Sequence, residues 1–199
     1  MGLWVLAHEC GHGAFSKNRK LQDAVGYVIH SIMLTPYYSW QRSHAVHHWF
    51  TNHMELGETH VPENMMAPPE EKLYDSVELR GWFLEQFGED NGIKAFGGFQ
   101  AFLHLIVGWP AYLLFGATGG PDRGVTSHFI PSPLTKPKQP KRELFPGNWR
   151  EKVLTSDIGV ATVLAASIAW AACDGIPEMF ALYGGPLTVI NAWLVVYTW

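Results

Sequence analysis

Ser43-His44-Ala45-Val46-His47-His48 follows His8-Glu9-Cys10-Gly11-His12 at a distance of 32 residues, and these two stretches decide how the chain is read. They hold five of its 10 histidines. On a helix, His8 and His12 stand one turn apart on one face, and His44, His47 and His48, at i, i+3 and i+4, share another. Neutral imidazole is the commonest protein metal ligand. Five converging imidazoles exceed what one tetrahedral zinc needs, and a nitrogen-rich array suits iron or another first-row transition metal.

The rest of the composition points to a membrane. Hydrophobic residues make up 47% of the 199 and charged residues 16%, against about 25% charged in ordinary soluble domains. Aromatic side chains, at 14%, favour membrane–water interfaces, and Trp4, Trp40, Trp49 and Trp109 are expected to anchor there. A net charge of −4 and the lack of a basic stripe argue against nucleic acid. Two cysteines, Cys10 and Cys173, make no disulfide framework, so a reducing compartment is compatible. The length fits one domain over 1–199, and the apolar, uncapped runs at both ends read as an internal fragment.

Working outward, residues 24–38 are apolar but shorter than the ~20 a crossing helix needs, so they are expected to dip in and return. The polar middle runs from 52 to 91, with Pro68-Pro69-Glu70-Glu71-Lys72 as a loop. Residues 95–117 are long enough to span, yet Gly108-Trp109-Pro110 predicts a break and a re-entrant or interfacial path. Residues 121–157 carry Arg123, Lys136, Lys138, Lys141, Arg142, Arg150 and Lys152, a cytosolic signature. Residues 158–173 and 179–199 then form a hairpin of two spans turned at Asp174-Gly175-Ile176-Pro177-Glu178. The histidine clusters share the basic side, by parity, only if 95–117 does not cross. The expected fold is all-α: a membrane-embedded helical protein with a cytosolic helical cap carrying the histidines.

His8-Glu9-Cys10-Gly11-His12 also fits the HExxH pattern of zinc proteases, in which Glu is the general base. An intramembrane zinc metalloprotease is therefore the competing reading. A protease needs one further ligand, not a second array of three histidines. His53 and His60 read as loop or supporting residues, and His30 and His104 as hydrogen-bonded packing residues. His128 receives no role.

With those residues in view, Gly2 to Ser16, containing His8-Glu9-Cys10-Gly11-His12, resembles the first histidine box of the membrane fatty acid desaturases. Gln41-Arg42-Ser43-His44-Ala45-Val46-His47-His48 resembles the second, and Thr51-Asn52-His53 with Gly57-Glu58-Thr59-His60-Val61-Pro62 continues it in the style of fungal delta-12 (oleate) members. The likeness extends through Gly108-Trp109-Pro110 and Ser127-His128-Phe129. Family members carry a third box beyond the last hairpin, so the chain is expected to lack it. The resemblance implies oxygen-dependent desaturation of an acyl chain, oleoyl to linoleoyl, at two irons. It assigns His8, His12, His44, His47 and His48 as metal ligands and leaves Glu9 to orient a ligand histidine. It further implies O2 as co-substrate, a fatty acyl lipid substrate, electrons from cytochrome b5 and its reductase, and a multi-pass endoplasmic reticulum protein with its boxes facing the cytosol. Hydroxylase and omega-3 desaturase activities of the same superfamily remain alternatives.

Overall fold

The computed structural model describes residues 2–53, 56–57, 77–116, 123–136 and 143–198. The expected loop at 68–72, His60, Lys138, Lys141 and Arg142 lie outside them. The described residues form helices and connecting segments without a strand, as expected. In chain order the helices are α1 (Gly2–His12), α2 (Arg19–Ile32), α3 (Tyr37–Trp49), α4 (Val77–Phe87), α5 (Glu89–Phe115), α6 (Trp149–Asp174), α7 (Ile176–Met179) and α8 (Gly185–Thr198). A π-helical turn, Phe180–Gly184, joins α7 to α8.

Local chemistry sets the entry to each of the first helices. Asn18 caps α2, its Oδ1 accepting from the amides of Lys20 and Leu21 at 3.1 and 3.3 Å. Pro36 precedes α3, where its fixed φ costs no helical hydrogen bond. Between α2 and α3 the chain reverses over the four residues 33–36, the Thr35 amide donating to the His30 carbonyl at 2.9 Å and Leu34 taking φ 52°. Residues 24–38 are most of α2, a tight reversal and the start of α3, a segment that turns back on itself as expected. Gln22, Gly26 and His30 are buried and recur every four positions, the signature of one helix face packed on protein.

Helices α1, α2 and α3 pack on one another, and α6 packs across α2 and α3. The approach is closest at glycines. A side chain at Gly159 would strike the Ser31 hydroxyl and the Tyr27 ring, so α6 lies against α2 nearly backbone to backbone. Tyr27 then donates to the Thr155 carbonyl at 3.0 Å, and the Tyr38 amide donates to Ser156 Oγ at 2.9 Å.

Among the described residues, three segments are long and apolar enough to cross a membrane: Glu89–Phe115, Trp149–Asp174 and Ile176–Val196. The last two form the expected hairpin. The first corrects an expectation, because α5 runs unbroken through Gly108-Trp109-Pro110 for 27 residues. Pro110 withholds a single donor, from the Ile106 carbonyl, yet the helix continues past it to Phe115, as apolar helices packed on neighbours allow. The helix ends instead at Gly116, whose left-handed φ of 56° few other residues adopt freely.

The far end of α5 returns to the histidine helices. Trp109, Tyr112 and Leu113 join Trp4, Met33, Trp40, Leu194 and Val195 in the main core. A second cluster joins Val46 of α3 to Leu144, Phe145 and Val153. Arg42 Nε donates to the Leu144 carbonyl at 3.0 Å. Leu144 and Phe145, just before α6, thus pack directly on the second histidine helix. Trp4, Trp40 and Trp109 are core residues, not interfacial anchors; only Trp49 of the four is open, at 68% exposure.

Candidate metal centre

The crossing of α1 and α3 brings four of the five expected histidines to one point. His8, His12, His44 and His48 offer ring nitrogens that all lie within 4.8 Å of one another. His44 is the hub, its Nε2 standing 2.9 Å from that of His8, 3.1 Å from His12 and 3.2 Å from His48. His8 and His12 are 3.2 Å apart. Four nitrogens placed tetrahedrally at the ~2.1 Å of a metal–imidazole bond would stand about 3.4 Å apart, so the array fits a first-row ion with little adjustment. His47 stands beside this group, its ring parallel to that of His44 at 6.0 Å between centroids.

Protonation suits ligation. Burial pushes His44 down to about 2, with repulsion from His8, His48, His12 and His47 adding to it. Burial, then neighbouring histidines, also lowers His12 and His48. His44, His12 and His48 are therefore neutral at neutral pH, with lone pairs available. His8 Nδ1 lies 3.0 Å from Glu9 Oε1, which holds the ring proton on Nδ1 and leaves Nε2 bare toward the cluster. Glu9 thus grips His8 on the side away from the converging nitrogens, unlike a proteolytic base, which must face a metal-bound water.

An aromatic shell surrounds the cluster. Trp40 stacks on His44 at 4.5 Å with an interplanar angle of 18°. His30 stacks on Trp4 at 4.6 Å and meets Trp40 edge-on at 4.7 Å. His30 is a packing residue, as expected, but neither of its ring nitrogens has a hydrogen-bond partner among the described residues. The loop places His53 outside the cluster, its Nδ1 accepting from the Leu56 amide at 3.0 Å.

Sequence reasoning passed over one further group. His128 is wholly buried, with Nε2 2.9 Å from Ser43 Oγ, and Ser43 Oγ is 2.9 Å from Tyr112 Oη. These residues lie 85 and 69 positions apart, so no local pattern joins them. The available signal was Ser43 itself, a hydroxyl on the apolar face of α3 immediately before His44.

The two buried histidines predict a pH dependence. Burial pushes His30 to about 3 and His128 to about 4, whereas in the unfolded chain both titrate near 6.5. Below pH 6.5 the unfolded state binds more protons, so stability falls as pH falls toward the folded values. By pH 5 each costs about 2 kcal/mol. Thermal melts in detergent at pH 7.5 and 5.0 should show this loss together with that of His44, which burial also lowers, and His30→Phe should remove about a third of the difference. An unchanged pH difference in that variant would remove His30 from the account.

The chain is similar to known proteins over its whole length. It matches the fatty acid desaturase family across residues 1–199. It is 35% identical over 198 residues to a Delta(12)-fatty-acid desaturase of Arabidopsis thaliana, covering 100% of this chain and 45% of that protein. It is 34% identical over 201 residues to a Delta(12) fatty acid desaturase of Mortierella alpina, covering 99% and 47%. An omega-6 fatty acid desaturase of the endoplasmic reticulum from Brassica juncea is 33% identical over 200 residues, covering 100% and 45%. The chain spans about half the length of the curated relatives it matches. No solved structure matches it.

Proposed function

The chain belongs to the fatty acid desaturase family, and on that premise we propose that it supplies histidine ligands to the metal centre of a membrane enzyme that desaturates an acyl chain, oleoyl to linoleoyl at the delta-12 position. The convergence of four imidazoles at the α1–α3 crossing carries this reading. Each turnover removes two hydrogens from adjacent methylenes and reduces O2 to two waters, drawing two further electrons and two protons from outside. Two irons, when bound, supply the oxidising power that an unactivated C–H bond demands.

The chain's own residues set the conditions. His8, His12, His44 and His48 would hold one iron, and His47, which stands aside from their nitrogens, would serve the second. Neutral ligands add no negative charge and leave the centre cationic. Glu9 fixes the His8 tautomer. Trp40, flat against His44, restricts its ring and keeps water from that face. The arrangement does not favour a zinc protease, since four imidazoles converge where that mechanism uses two and a carboxylate base.

One relative carries the endoplasmic reticulum in its name, which supports that membrane for this chemistry, and the histidine side would face the cytosol with the basic segment. Electrons would come from cytochrome b5 and its reductase. The test is metal analysis and product formation by the intact protein. Iron near two per chain, with linoleate formed in a yeast host that lacks it, is expected. Zinc near one per chain with no change in lipid would overturn the reading.

A further inference from the structure

Ser43, Tyr112 and His128 form a hydrogen-bonded triad sealed from solvent, and its centre is the residue immediately before His44. Ser43 and His128 have no exposed surface, and Tyr112 is 6% exposed. Ser43 Oγ has one hydrogen and two lone pairs. It lies 3.1 Å from the Trp40 carbonyl, 2.9 Å from Tyr112 Oη and 2.9 Å from His128 Nε2. A carbonyl can only accept, so Ser43 donates to Trp40, and its two lone pairs accept from Tyr112 Oη–H and His128 Nε2–H, which saturates the hydroxyl.

Such a triad is a poor device for stability alone. A neutral buried hydrogen bond contributes about 1 kcal/mol net, and apolar groups of the same shape can serve as well. What it adds is a direction. Tyr112 comes from α5 and His128 from the segment after it, which is itself tied back by its amide donating to the Leu113 carbonyl at 2.8 Å. Two anchors from outside α3 therefore converge on one atom of α3. They fix the rotation of that helix about its own axis.

Rotation is the coordinate to which the histidine cluster is most sensitive. The Cα atoms of a helix lie about 2.3 Å from its axis and an imidazole tip reaches several ångströms further, so ten degrees of turn moves that tip by about 1 Å. Metal–ligand distances tolerate only about 0.2 Å. We propose that Ser43, Tyr112 and His128 are positioning residues that set the rotation of α3, and so hold His44 and His48 in register with His8 and His12. This rests on the metal-centre reading above.

The test uses the intact, metal-free protein in detergent, titrated with cobalt(II) and followed by its visible absorption. A second measurement follows acylation of His44 by diethyl pyrocarbonate without metal, resolved by mass spectrometry. His128→Phe and Ser43→Ala should weaken cobalt binding at least tenfold, shift the cobalt band and speed His44 acylation several-fold. His128→Gln, which restores an amide N–H near the Nε2 position, should recover cobalt affinity to within about threefold of the parent. Folded His128→Phe and Ser43→Ala proteins with a lowered melting temperature but the parent's cobalt spectrum, affinity and His44 acylation rate would overturn the proposal and leave a purely structural triad. If His128→Phe does not fold, Tyr112→Phe, which deletes one oxygen, decides on the same readouts. A parent that binds no cobalt would remove the metal-centre reading, and the acylation rates would still decide whether the triad positions α3.

Discussion

Replacing His44 with alanine is expected to abolish desaturation by the intact protein, a loss of at least a hundredfold, and to remove most of its bound iron. The expectation follows from its place at the hub: its Nε2 lies within 3.2 Å of three other imidazole nitrogens. Deleting it removes one of the four converging nitrogens and also the ring against which Trp40 stacks, opening one side of the cluster to water. Missing ligands lower affinity and leave solvent where the chemistry needs a dry site. His48→Ala should behave similarly. His53→Ala and His104→Gln should keep most activity, since His53 serves the loop and His104 flanks Gly108 within α5, away from the cluster. Iron content and linoleate yield in microsomes from a host without its own delta-12 activity measure both effects. Linoleate at the parent level from His44→Ala, with normal protein abundance, would mean that the converging nitrogens are not the working centre.

The histidine helices were legible because their spacing carries the information. Positions 8 and 12, and 44 and 48, are one turn apart, and a helix leaves such pairs no choice but to share a face. What spacing cannot give is the phase between two helices. His47 belongs to the same short pattern as His44 and His48, yet the α1–α3 crossing leaves it beside the four converging nitrogens, and only tertiary packing decides that. The reading of α5 failed for a different reason. Pro110 removes one backbone donor, but the packing of Trp109, Tyr112 and Leu113 in the core holds the helix continuous to Gly116. Tryptophan misled likewise: composition makes Trp4, Trp40 and Trp109 interfacial, while their burial against His30, His44 and Tyr112 makes them the wall of the site. The Ser43 triad was invisible for want of any local pattern, since its members meet only after α5 and the segment following it return to α3.

Gly26→Val is expected to destabilise the histidine region and spread its helices, while Gly97→Ala and Gly98→Ala leave it intact. All three glycines lie inside helices, so helix propensity alone favours every one of these replacements or nearly so. Their surroundings differ. At Gly97 and Gly98 an added Cβ meets nothing within 4 Å, and alanine there should be neutral or stabilising by up to about 1 kcal/mol. At Gly26 it would strike the ring of Tyr37 and come 2.9 Å from the Cβ of Cys10. Neither neighbour can yield cheaply. Tyr37 is fully buried and its hydroxyl donates to Asp23 Oδ1 at 3.2 Å, and Cys10 is held in α1 between His8 and His12. Gly26 is thus the point where α1, α2 and α3 touch, and a β-branched side chain there must push α1 away from α3. Overpacking of this kind costs about 3 kcal/mol or more when backbone must move. In a protein of this size that is a fall of about 10 °C in melting temperature. The same displacement separates His8 and His12 from His44 and His48, so metal binding should fail even in the fraction that stays folded. Melting temperature and bound iron, measured side by side for the three variants, check this. A Gly26→Val protein that melted with the parent and kept its iron would show that α1 and α3 are not held together through this contact.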